Sequence, residues 1–94
     1  MNAVVQQMPQ VISIGYGSSI SSSKITAILH PESAPIKRAI ADAKESGMLI
    51  DATYGKKTRS VVFLDTQQIL LSAVTAETLS GRLGGKEDSG EEEN

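Results

Sequence analysis

The sequence predicts a small α+β domain in the order ββαβββα, with an antiparallel-rich sheet, one main helix and a short C-terminal helix. Three observations predict it. Strand-period segments come in runs, with no regular β–α alternation of the kind that builds a doubly wound sheet. The last three of them are joined by the short stretches "GKKT" and "DTQ", which favour antiparallel pairing. The chain has 94 residues, which is room for one modest core.

Val11–Ile14, "VISI", reads as a short strand, interrupted by "GYGSS". "KITAILH" alternates, which places Ile25, Ala27 and Leu29 on one face and Lys24, Thr26, Ile28 and His30 on the other. "HPESAP" stops that strand and starts a helix: Ser33 is a capping residue, Pro35 is tolerated in the first turn, and Glu32 lies close to the positive end of the dipole. Ile36, Ala39, Ile40 and Ala43 then recur at helical spacing as one apolar stripe, while Lys37, Arg38, Asp42, Lys44 and Glu45 face water. Gly47 suits the position just past the helix end. Met48–Tyr54, Arg59–Leu64 and Gln68–Val74 read as strands. "SVVFL" is apolar on both faces, so this strand is expected at the centre of a sheet covered on both sides. Thr75 caps a last short helix, Ala76 to Leu83.

With one Phe, two Tyr and no Trp, the core must come from Ile, Leu, Val and Ala, which suits a domain that gains further burial by oligomerising. Zero Cys excludes a disulfide scaffold and any thiolate metal site, and is compatible with a reducing cytosol. "MNAVVQQMPQ", residues 1–10, reads as a flexible start without signal-peptide features, and no apolar run approaches the ~20 residues of a membrane helix. A cytoplasmic protein is the expectation. The formal net charge is −2, but it is unevenly placed. Residues 84–94, "GGKEDSGEEEN", set one Lys against five acids, a net of −4 without an apolar residue, and read as a disordered acidic tail. Residues 1–83 hold eight cations and six anions, so the body is mildly basic at +2.

Few residues offer catalytic chemistry. Ser21 and Lys24 in "SSSK" fit the S-x-x-K pattern of serine acyltransferases, but the companion S-D-N and K-T-G elements are missing. "GYG" lacks the third glycine of a dinucleotide fingerprint and the Gly-Lys-Ser/Thr ending of a P-loop, so turn glycines explain it better. His30 is the sole histidine, and Glu32, Asp51 and Asp65 are scattered. This inventory argues against an enzyme, and no cofactor or metal is expected. The stretch "YGKKTRS" is different: Lys56 and Lys57 would stand at a hairpin tip with Arg59 at the adjoining strand start and Thr58 as a neutral donor. Cations, hydroxyls and backbone N–H groups in one turn can grip phosphates, and Tyr54 can stack on a base or simply cover the hairpin. The competing reading is a solvated tip whose lysines discourage edge pairing.

From Gly15 to Arg82 the chain resembles the RemA family of bacterial extracellular-matrix regulators. "PESAPIKR", "GMLIDATYG", "TRSVVFLD", "ILLSAV" and "ET" carry the resemblance in order and spacing, and "ISIGYG" matches the family's start. It implies a DNA-binding, nucleoid-associated transcriptional regulator of matrix and biofilm genes, assembled as a closed homo-oligomeric ring with duplex DNA along a basic rim. Basic positions of the family fall here on Lys24, Lys56, Lys57 and Arg59. Arginine often stands in the family where this chain has Lys24, Lys56 and Lys57; lysine keeps the charge and loses the planar fork that reads guanine. A ring repeats a weak cationic cluster around its circumference, and linked weak contacts combine into avidity. Two alternatives compete with it. One is RNA binding, with Tyr16 or Tyr54 stacked on unpaired bases. The other is a ring-shaped scaffold for protein partners whose lysines serve solubility.

Overall fold

The computed structural model describes residues 11–84. The expected flexible start, residues 1–10, and all of the expected acidic tail except Gly84 lie outside the described residues. The class is α+β, with eight principal elements: β1 (Val11–Gly15), β2 (Ser18–Ser21), β3 (Ile25–Leu29), α1 (Ala34–Glu45), β4 (Leu49–Ala52), β5 (Ser60–Leu64), β6 (Ile69–Ser72) and α2 (Ala76–Leu83). A single 3-10 turn, Ser22–Lys24, joins β2 to β3.

The helices form as their sequences dictate. The Ser33 hydroxyl accepts from Ile36 N–H at 3.4 Å, Pro35 occupies the first turn, and Gly47 follows the helix with φ of 77°. The stripe Ile36, Ala39, Ile40 and Ala43 packs on Val61, Ile69 and Leu71. Thr75 caps α2 through a bond from Thr78 N–H at 3.2 Å.

The sheet departs from the expected hairpins. β3, β5, β6 and β4 lie in that spatial order, and β4 pairs with β6 in parallel. β4 and β5 are therefore not partners, and the basic turn between them is no hairpin tip. The physical reason is that β5 has only two edges, and β3 and β6 hold both through antiparallel ladders. The segment between β4 and β5 instead crosses the end of β6. β1 and β2 make a separate two-stranded hairpin. Here "SSIS" is a strand that serines conceal, since only Ile20 packs toward the core.

β3 also runs out of its expected phase. A bulge between Ile25 and Ala27 sets one extra residue against β5, so Ile25 and Ile28 both meet the same core. A one-residue slip exchanges faces along a strand, which a strict alternation cannot anticipate.

β5 is two-sided, as its composition requires. Val62 and Leu64 join Ile12, Ile14, Leu70, Val74 and Leu79 on one face, while Val61 joins Ala43, Ile69 and Leu71 on the other. α1 covers the second face, and the β1–β2 hairpin with α2 covers the first. Cover for Val61–Leu64 thus comes from the chain itself, and this strand does not by itself demand a second copy.

Two buried serines fasten the hairpin side to the sheet. The Ser72 hydroxyl donates to the Ile14 carbonyl at 2.8 Å and accepts from Val74 N–H at 3.0 Å, and the Ser60 hydroxyl donates to the Val74 carbonyl at 2.6 Å. Ser72→Ala deprives two buried backbone groups of these partners. A loss of about 2 kcal/mol in urea unfolding is expected, because an unmet buried polar group costs ~1–3 kcal/mol. A midpoint equal to the parent's would show that water replaces the hydroxyl.

Candidate nucleic-acid interface

Residues 53–59 carry the chain across the end of β6, and the segment is pinned at both ends. At its entrance the Asp51 carboxylate accepts from Thr53 N–H at 2.9 Å and from the Thr53 hydroxyl at 2.7 Å. The hydroxyl bond first and the amide bond second hold the Asp51 carboxyl below its ordinary value, against a small opposing effect of burial. A carboxyl depressed in the folded state stabilises fully above its unfolded-state pKa and loses that contribution as pH falls through the folded value. Urea midpoints of the parent between pH 6 and pH 3 are therefore expected to fall more steeply than those of Asp51→Ala. Parallel curves would assign the acid sensitivity elsewhere. At the exit, Arg59 N–H donates to the Ser72 carbonyl at 2.8 Å.

Between these pins, Lys56 N–H donates to the Thr53 carbonyl at 3.0 Å and closes a tight turn about Tyr54 and Gly55. Their φ angles are 55° and 82°. Positive φ at both central positions is the condition of a type I′ turn. An added Cβ at Gly55 would meet nothing within 4 Å, so glycine is required there by conformation rather than by space. The β1–β2 turn repeats the design, with Tyr16 and Gly17 at 55° and 82°.

The two Tyr-Gly turns meet. The Tyr16 and Tyr54 rings lie 5.9 Å apart between centroids, tilted by 46°, and the Ser18 and Tyr54 hydroxyls share a hydrogen bond of 2.9 Å. Tyr54 nevertheless remains 64% exposed. A bulky residue in the left-handed region costs roughly 1–2 kcal/mol. A ring pair returns about 0.5–1.5 kcal/mol and a hydrogen bond about as much. The strain of two such tyrosines, about 2–4 kcal/mol, matches or exceeds the roughly 1–3 kcal/mol that the ring pair and hydrogen bond return.

Lys56, Lys57 and Arg59 are exposed on this pinned segment, and Thr58 is half-buried between them. Lys24 is exposed too, but it stands elsewhere: its carbonyl accepts from Asp65 N–H at 2.8 Å, at the far end of β5 from Arg59. Six residues of strand at ~3.3 Å each put it roughly 20 Å from the turn. One protomer thus offers a cluster of three cations and a separate fourth. None of the four has an acidic partner among the described residues. Arg82, by contrast, donates to the Ser13 carbonyl at 2.9 Å. His30 and Glu77 pair at 3.2 Å where β3 ends and α2 begins. Ser21 spends its hydroxyl on Ser23 at 2.9 Å rather than on Lys24, which leaves the acyltransferase pattern without its geometry.

What the turn can do chemically is hold anions at fixed points. Its backbone is held at Lys56 and Arg59, and among the described residues its cations have no acidic partner, so a phosphate meets charge there without first breaking an ion pair with them. The sequence presents Tyr16 and Tyr54 as separate rings, and only the fold brings them into contact. The signal for it was the dipeptide Tyr-Gly occurring twice.

Among the described residues no helix is long and apolar enough to cross a membrane. A family model described as extracellular matrix regulatory protein A-like, RemA-like, matches residues 11–83. Extracellular matrix regulatory protein A of Bacillus subtilis (strain 168) is 54% identical over 79 residues, covering 84% of this chain and 89% of the relative. A protein of Geobacillus kaustophilus (strain HTA426), named as a regulatory protein, is 49% identical over 85 residues, covering 90% of this chain and 98% of the relative. Another so named, from Alkaliphilus metalliredigens (strain QYMF), is 54% identical over 84 residues, covering 89% and 90%. With the matched region spanning the whole described fold, the chain belongs to the RemA-like family.

Proposed function

We propose that this protein is a DNA-binding regulator that assembles as a closed homo-oligomeric ring and holds duplex DNA mainly by its backbone, controlling matrix and biofilm genes at the nucleoid in the cytoplasm. The observation that carries the reading is the pinned turn with Lys56, Lys57 and Arg59 exposed and unpaired among the described residues. The regulatory names of the relatives supply the role. Three cations on one protomer make a weak site, and repetition in a ring turns weak contacts into avidity. Lys24, at the other end of β5, serves a different stretch of phosphate backbone from the turn. The lysines grip by charge rather than by reading bases, because they lack the fork that pairs with guanine.

The exposed Tyr54 ring is the one feature that favours single-stranded RNA as a rival ligand. A gel shift on duplex DNA at two salt concentrations, with single-stranded RNA as competitor, tests both. Binding that weakens as salt rises, and that RNA displaces poorly, is expected. Displacement by equimolar RNA would transfer the site to RNA, and no shift at low salt would leave a scaffold for proteins.

A further inference from the structure

We propose that Tyr54 is a non-electrostatic contact to the nucleic acid, laying the exposed side of its ring against the deoxyribose or base edge next to the phosphates held by Lys56 and Lys57. The assignment rests on the DNA-binding reading above and adds a contact that charge does not supply. Two chain turns each place a tyrosine where asparagine or glycine is the ordinary occupant, at φ of 55° in both cases. Strain of this kind marks functional positions when packing does not account for it. A tyrosine serving only to staple two turns together would bury its ring, yet Tyr54 is 64% exposed.

The ring is also held ready. Tyr16 supports it at 5.9 Å and the Ser18 hydroxyl fixes its oxygen at 2.9 Å. A side chain already ordered loses little freedom when a ligand arrives. Its position is two residues before Lys56, on the same locked turn, so a phosphate held by the lysines brings sugar and base edge within reach of the ring. Tyrosine suits that contact because in a duplex the base faces are stacked, and the apolar face of its ring can pack on a deoxyribose that every nucleotide presents, irrespective of sequence.

Salt titrations of duplex DNA binding, paired with thermal melting, test the assignment on the full chain. Tyr54→Asn removes the ring while suiting the left-handed backbone. It is expected to melt no lower than the parent, and to bind roughly tenfold more weakly at every salt concentration with an unchanged slope, which corresponds to the loss of about 50–60 Å² of buried ring surface. Tyr54→Phe keeps the ring and should stay within about threefold of the parent's affinity. Parental affinity in Tyr54→Asn overturns the contact. So does weakened binding with a lowered melting temperature, which makes the ring a staple, or with a flattened slope, which makes it a prop for the lysines. If the parent binds no duplex DNA, both the contact and the reading beneath it fall. If the parent binds and Lys56→Ala with Lys57→Ala flattens the slope while Tyr54→Asn matches the parent, the ring contact alone falls.

Discussion

Lys56→Ala combined with Lys57→Ala is expected to bring duplex DNA binding below detection at moderate salt while leaving the fold intact. Both side chains are exposed and without acidic partners among the described residues, so their removal deletes no core contact. Exposed substitutions of this kind usually change stability by less than about 0.5 kcal/mol. Binding depends on them differently. If each protomer neutralises about two phosphates through the pair, log K loses roughly 0.9 of slope against log salt for each, summed over the protomers engaged. Lys37→Ala with Arg38→Ala, on the exposed side of α1, is the matched control with equal charge removed, and should cost far less. Equal losses in the two double variants would reduce the site to bulk charge, and parental affinity in the turn variant would remove the turn from the interface.

The second large effect is on stability. Leu79→Ala is expected to destabilise the protein by about 3 kcal/mol, within the ~2–5 kcal/mol range of buried leucine truncations. Leu79 is fully buried and lies with Ile12, Ile14, Val62, Leu64, Leu70 and Val74. α2 has eight residues, too few to hold a helix without packing, so the leucine that docks it also maintains it. In a domain of this size the loss corresponds to a fall of roughly 10–20 °C in melting temperature at matched protein concentration. A fall of less than about 5 °C would mean that α2 contributes little to closing this side of the core.

Much of the local structure was legible because local rules determine it. The Ser33 cap, the stripe from Ile36 to Ala43 and Gly47 after the helix are written within a few residues of one another, and the helix follows. The two-sided burial of β5 was legible for the same reason: five residues with no exposed polar face permit little else. Pairing between distant strands was not. The parallel ladder of β4 on β6 depends on which edges remain after β3 and β5 have met, and no short stretch encodes that competition. The bulge in β3 changed the phase of Ile28 for a reason equally remote, its register against Val62 and Phe63.

For the site, charge was legible and arrangement was not. "GKKTR" announces a basic turn, but only the fold shows that the turn is pinned at Thr53 and Arg59, and that Lys24 stands at the opposite end of β5. The family's resemblance had grouped these four residues by role, and geometry divides them. The Tyr16 and Tyr54 contact likewise joins residues far apart in the chain, through two turns that look like ordinary glycine punctuation when read singly.

The most direct test of the account is the native mass of the particle, measured alone and with a duplex DNA fragment. A ring of DNA-binding protomers gives a single species at a multiple of three or more of the 9.9 kDa protomer, which gains the mass of the fragment at low salt and releases it as salt rises. A particle of 9.9 kDa, or one whose mass is unchanged by DNA, would contradict the account.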